Sequence, residues 1–272
     1  MTITTSAPRA DAARPDALDE RRPGSGWKGF GLRTWYALVK LITNPYSLGF
    51  ALGLPIFMYL IFGAGQEYGK EWAGHSNVAA VVLVNMAVYG TIMSASSMGS
   101  VVALERTSGI SRLHALTPMS PLAGILARIA ASLLITIVVT GIVYAAGALT
   151  GARMEASAWI ESYLLMVVVS ILPIALGLAC AFAVRSDGAF ALTSAITVLG
   201  SFAAGMFIPL EQMGDFWARI APWTPFYGSS RIVLAPLYGW EGFSASWVVG
   251  LLAWTLLFGA VAVRAQRRDT GR

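Results

Sequence analysis

The spacing of charged residues constrains this chain more than any other feature. Six stretches of at least 18 residues contain no Asp, Glu, Lys or Arg: 41–66, 72–104, 129–152, 162–184, 188–210 and 242–263. Crossing a hydrocarbon core of about 30 Å takes roughly 20 helical residues. A charge at mid-bilayer costs about 2.5–3.5 kcal/mol on insertion scales, so charge-free windows of this length mark spanning helices. A soluble core would need six such helices with almost no amphipathic ones. Only 12% of residues are charged and the mean hydropathy is +0.66, whereas soluble chains carry roughly 25% charged residues. The expected fold class is an all-α polytopic membrane protein. Its six transmembrane helices run about 46–64, 79–103, 122–149, 160–183, 189–208 and 244–263.

Six crossings put both termini on one side. With that side inside, the inner segments hold fifteen of the nineteen Lys and Arg residues: seven before residue 46, three within 104–128, Arg185, and four after residue 263. Lys70, Arg153, Arg219 and Arg231 fall outside. The positive-inside rule then predicts cytoplasmic termini in a cell membrane. The pI of about 9.6 follows from this asymmetry. Anionic lipid headgroups are the partner it implies, and nucleic acid is not needed.

The chain divides into a disordered cytoplasmic tail (1–25), an interfacial amphipathic helix (26–44), a six-helix transmembrane domain (45–264) and a basic cytoplasmic tail (265–272). The first segment is rich in Ala, Pro, Asp and Arg and lacks an apolar signal-peptide core. The second mixes Trp27, Phe30, Trp35, Leu38 and Leu41 with Lys28, Arg33 and Lys40. That pattern suits a helix lying in the membrane interface; the alternative is an inward continuation of the first span. Between spans five and six, Pro209, Pro222, Pro225 and Pro236 interrupt an aromatic-rich segment. Two short outer helices, "LEQMGDFWARI" and "SSRIVLAPLY", are expected there, because proline breaks longer ones. Small residues from Gly90 through Ser94 and Ser97 to Gly99 allow close helix packing in the second span. Arg128 is near enough to the inner end of the third span to snorkel.

Several chemistries are missing. The three lysines, Lys28, Lys40 and Lys70, sit in no phosphate-binding GxxxxGK[ST] setting. No GxSxG or HExxH occurs. His75 and His114 fall on opposite sides of the membrane in this topology, so they cannot share a metal. Cys180 is the lone cysteine and reads as a small core residue. The charge-free stretches contain no carboxylate of the kind that couples protons or sodium to transport. The chain therefore reads as non-catalytic, with no cofactor of its own, and any uphill transport takes its energy from elsewhere.

One interruption stands out. "LERTSGISRLHALTPMSP" (104–121) sets Glu105, Arg106 and Arg112 between the second and third spans. Charged ends around Ile110, Leu113 and Leu116 suit a short helix docking into a partner's groove. They suit an ordinary solvated loop equally well. The block resembles the cytoplasmic signature of the type-2 ABC exporter permeases, including the daunorubicin-resistance group. Glu105-Arg106, Gly109, Arg112 and Thr117-Pro118 carry the likeness. A second match, "AAGMFIPLEQMGDFWARIAPWTPF", rests on Gly205, Phe207, Pro209, Pro222 and Pro225. Thr107 and Ser111 depart from the common pattern.

The resemblance implies a permease subunit of an exporter, with ATP and Mg held in a separate ABC ATP-binding subunit. A second permease domain, identical or related, completes the transporter. In that family the 105–118 element and the 26–44 helix contact the ATPase. Glu105 and Arg106 then act as charged anchors, Leu113 and Leu116 as the inserted face, and Pro118 as the stop. Drug, lipid or peptide-like cargo fits the uncharged spans, whose few polar groups (Asn85, Tyr89, Thr136, Thr140, Tyr144) read better as helix–helix hydrogen bonds. A transporter or channel acting alone, and a non-transporting scaffold, are the competing readings.

Overall fold

A computed structural model describes residues 26–43, 49–110, 119–184 and 188–270. A first helix, α1 (Phe30–Ile42), precedes α2 (Leu54–Tyr59), which is flanked by wide-turned segments Gly49–Gly53 and Leu60–Ala64. A two-residue hairpin follows, Trp72–Ala73 pairing antiparallel with Ser76–Asn77. Then come α3 (Val78–Thr107), α4 (Pro121–Thr150), α5 (Ala156–Val169), α6 (Ile171–Ala183) and α7 (Gly188–Ala203). The later chain holds α8 (Leu210–Met213), α9 (Asp215–Ile220), α10 (Tyr227–Leu234) and α11 (Ala245–Thr270).

Among the described residues, four helical stretches are long and apolar enough to cross a membrane: Val78–Thr107, Leu122–Thr150, Ala156–Ala183 and Ala245–Gln266. They coincide with the second, third, fourth and sixth expected spans. The first and fifth are shorter among the described residues, at Ala51–Ala64 and Gly188–Ala203. At 1.5 Å per residue these reach only about 21 and 24 Å. The third of the four long stretches, Ala156–Ala183, is interrupted at Ser170, between α5 and α6. Pro173 has no N–H to offer the Val169 carbonyl, so the regular ladder lapses there.

Helix ends follow their caps. Asn77 starts α3 by accepting from the Ala80 N–H at 3.0 Å. The same oxygen accepts from Arg153 N (2.9 Å), while Nδ2 donates to Gly151 O (2.9 Å), which ties the turn after α4 to the start of α3. Ser120 caps α4, with Pro121 in the first turn, where a missing N–H does no harm.

α3 lies at the centre, in contact with α2, α4, α6, α7 and α10. Its Leu83, Val84, Val88 and Ile92 join Tyr59, Val143, Met166, Leu172, Leu176 and Phe226 in the main buried cluster. Toward its other end, α3 meets α6 where Gly99 lies against Gly177: a methyl group on Gly99 would run into the Gly177 carbonyl, and one on Gly177 into that of Ser96. Backbone contact this close is the packing that small residues permit in apolar surroundings. Around this core, α4 and α11 expose broad apolar faces, including Leu134, Ile142, Val249, Leu252 and Leu256. Surfaces this apolar suit lipid.

The two stretches expected to form short helices after the fifth span are helical, in pieces. Gly214 separates α8 from α9, and a 3-10 turn, Ala235–Tyr238, extends α10.

Candidate functional site

The Glu105 end of the bundle gathers three elements. α3 finishes at Thr107, and Gly109 follows with φ +75°, the left-handed conformation that closes many helices and that glycine adopts without strain. Just beyond, Ser120 N donates to Gly26 O at 2.8 Å, holding the approach to α1 beside the start of α4. Thr34 of α1 is buried against α4 and contacts the Ala127 carbonyl through its hydroxyl at 3.4 Å.

Charge binds the same elements. Arg128 of α4 donates to Glu105 of α3, each side chain only 17% exposed. Arg128, placed by the sequence near enough to the inner end of its span to snorkel, meets a carboxylate 23 residues earlier in the chain. Arg33 of α1 joins the cluster, its guanidinium close over Gly124. Burial pushes the Arg33 pKa below the usual arginine range, the positive charge of Arg128 pushes it further, and Glu105 opposes both. A small recess of about 110 Å³, lined by Arg33, Tyr36, Lys40, Glu105 and Arg128 among others, lies between them. Arg106 turns the other way. It donates to Ala181 O of α6 at 2.6 Å, with its guanidinium carbon 5.2 Å from the Phe182 ring centre. Both charged residues of the Glu-Arg pair thus reach neighbouring helices of this chain. Arg112, Leu113, Leu116, Thr117 and Pro118 lie outside the described residues.

α1 presents Leu32, Trp35 and Tyr36 on its exposed face, with Leu38 buried beneath. Trp27 and the Lys28 and Lys40 side chains are exposed as well. The outward face of this helix is therefore aromatic, and its central cation, Arg33, is half-buried toward α4. Sequence patterning supplied the amphipathicity, but the placement of Arg33 depends on the tertiary partners Glu105 and Arg128.

At the opposite end of α3 a cavity of about 770 Å³ opens between α2, α3, the 204–212 turn and α10. Gly205, Phe207 and Pro209 line it, and the Phe207 ring meets Tyr89 edge-on, centroids 4.9 Å apart. Pro222 falls in a 3-10 turn whose Trp223 carbonyl accepts from Trp254 of α11 (3.1 Å). Pro225 packs by Gly200 of α7. Ser230 donates to Asn85 across the cavity wall at 2.8 Å. Deeper pairs also bridge helices: Thr91 with Thr140 (3.2 Å), and Tyr144 donating to Ser162 (3.0 Å). Thr136 is buried without a partner among the described residues. At this end His75 contacts Glu155 at 2.7 Å. Among the described residues no cluster of three His, Cys, Asp or Glu could hold a metal.

Two comparisons place the chain. It is 22% identical over 240 residues to a Bacillus subtilis (strain 168) protein named "Putative transport permease YvfS", covering 85% of this chain and 94% of that one. The family model described as "ABC-2 type transporter" matches residues 29–238, from the start of α1 to the 3-10 turn after α10. With most of its length matched, including both ends of α3 and the elements that meet there, this chain belongs to the ABC-2 type transporter family.

Proposed function

We propose that this chain is the membrane-spanning subunit of an ATP-driven exporter, with six crossings, both termini cytoplasmic, and a location in a bacterial cell membrane. A separate ABC ATP-binding subunit holds ATP and Mg, and a second permease domain, identical or related, completes the assembly. One observation carries this reading: α1, the end of α3 and the start of α4 converge on a single charged cluster, Arg33–Glu105–Arg128, at one end of the bundle. That cluster can receive a push from a partner and pass it on as a rigid-body movement.

α3 is the lever. Its tight backbone contact, Gly99 against Gly177, lies about 9 Å along the helix from Glu105 and about 21 Å from Asn85 at the cavity wall. Tilting about that contact enlarges a movement of about 1 Å at Glu105 to about 2 Å at Asn85. The Glu105–Arg128 bridge makes α4 and α1 follow, and Arg106 engages α6. Glu105 and Arg106 are positioning residues in this account. The 110–118 segment beyond them makes the contact with the ATPase.

The test is to co-express the chain with its neighbouring ATP-binding subunit, purify through a tag on this chain, and measure ATP hydrolysis in lipid vesicles. Co-purified hydrolysis that falls when 110–118 is altered supports the reading. A chain that purifies alone and leaves the ATPase unchanged sinks it, in favour of an autonomous transporter or a scaffold.

A further inference from the structure

The cavity at the Asn85 end has a volume of about 770 Å³, within the range of sites that enclose drug-sized molecules. Most of its wall is apolar, contributed by residues such as Met58, Phe62, Val82, Met206 and Phe207. Against that wall stands a set of hydrogen-bond donors. Arg231 is half-buried, its guanidinium carbon 5.3 Å from the Tyr227 ring centre. Among the described residues no carboxylate comes within ion-pairing distance of it. Glu211 also lines the cavity but is exposed. Asn85, which lines the cavity, uses its carbonyl oxygen on Ser230, and its amide N–H groups have no acceptor among the described residues. Burial raises the Tyr238 pKa, with Glu211 adding to the rise and Arg231 opposing it, so this hydroxyl too remains a donor.

An arginine presents five donors and no acceptor, and a carboxamide N–H₂ adds two more. An arginine and a carboxamide side by side in a mostly apolar chamber select a ligand that is acceptor-rich at one end and hydrocarbon at the other. We propose that this cavity binds an amphiphile whose anionic head meets Arg231 and Asn85 and whose hydrocarbon body lies among Met58, Phe62, Met206 and Phe207. Exported cargo and a bilayer phospholipid share that chemistry. The cargo source rests on the exporter reading, and the binding itself does not.

The probe is dansyl-undecanoic acid, with its methyl ester as the uncharged counterpart, titrated against the full chain in phosphatidylcholine nanodiscs. The acid binds saturably and more tightly than the ester. Arg231→Gln weakens the acid ten- to hundredfold, the usual loss for a hydrogen bond to a charged group. It leaves the ester unchanged, which also certifies the fold of the variant. Arg231→Lys, which keeps the charge, retains the acid's advantage, and Met206→Trp, which fills the chamber, weakens both probes. Equal effects of Arg231→Gln on acid and ester, or no effect of Met206→Trp, overturn the proposal. Phosphatidylglycerol in the disc separates the sources: displacement of the acid probe assigns the site to lipid, and its persistence assigns it to cargo. No ATPase or nucleotide is present, so failure here leaves the exporter reading intact. Failure of ATPase coupling likewise leaves this site standing.

Discussion

Among the described residues, replacing Glu105 with Gln removes the one acid from a cluster that otherwise holds Arg33, Lys40 and Arg128. Breaking a fully buried ion pair costs about 3–5 kcal/mol, and an exposed pair is worth about 0.2–1 kcal/mol. Both partners here are 17% exposed, so the loss falls toward the upper range, about 3 kcal/mol. Arg33 makes the effect asymmetric. Glu105→Gln leaves two neighbouring guanidiniums repelling each other without compensation, whereas Arg128→Gln leaves Glu105 facing Arg33. The second change is therefore milder, about 1–2 kcal/mol by the same bracketing. The double variant recovers part of the loss, giving a coupling of about 2 kcal/mol in a double-mutant cycle. For a chain of this size, about 3 kcal/mol corresponds to a Tm drop of roughly 6–12 °C. The assay is thermal unfolding of the purified chain in one detergent, all four proteins side by side. Equal effects of the two single variants, or strict additivity in the double, refute the proposed triad.

Three further changes probe the lever and its ends. Gly177→Ala forces α6 away from α3 at the Ser96 carbonyl; overpacking of this kind costs about 1–3 kcal/mol, and in the complex it lowers ATPase-coupled transport more than Gly188→Ala does, read as transport per ATP. Asn77→Ala removes a helix cap, worth about 1 kcal/mol, and orphans the Arg153 N–H, about 1–3 kcal/mol more; a loss of roughly 2–4 kcal/mol in thermal unfolding is expected, and a loss below about 1 kcal/mol contradicts the three-bond geometry. Gly109→Val strains a residue at φ +75° by about 1–2 kcal/mol; it weakens association with the ATP-binding subunit in a pull-down while leaving the melting of the isolated chain within a few degrees.

The sequence announces the long helices because charge is so costly in hydrocarbon that its absence over 72–104 or 129–152 is unambiguous. Two boundaries escaped that reasoning. Ser170 and Pro173 sit inside an apolar run, where hydropathy registers no lapse in the backbone ladder. That Ala51–Ala64 and Gly188–Ala203 are shorter among the described residues is equally invisible to a count of uncharged residues. Glu105 and Arg106 were legible as a conspicuous pair, but their targets were not. Nothing local indicates that Glu105 meets Arg128 while Arg106 reaches the Ala181 carbonyl, since both partners lie on other helices. The cavity at Asn85 is a tertiary product of four segments. Arg231 reads as one cation in an outer loop, and only the fold shows it half-buried and, among the described residues, with no carboxylate at ion-pairing distance.

In the proposed exporter, the Glu105 end of the bundle meets the ATP-binding subunit. A photo-crosslinking residue at Ile110, 38% exposed just past the end of α3, tests it against one at Leu149, 86% exposed at the opposite end of the bundle. In membranes containing both subunits, Ile110 is predicted to crosslink to the ATPase in a nucleotide-dependent manner, while Leu149 gives none. Crosslinking from Leu149, or from neither position in a complex that hydrolyses ATP, contradicts the account.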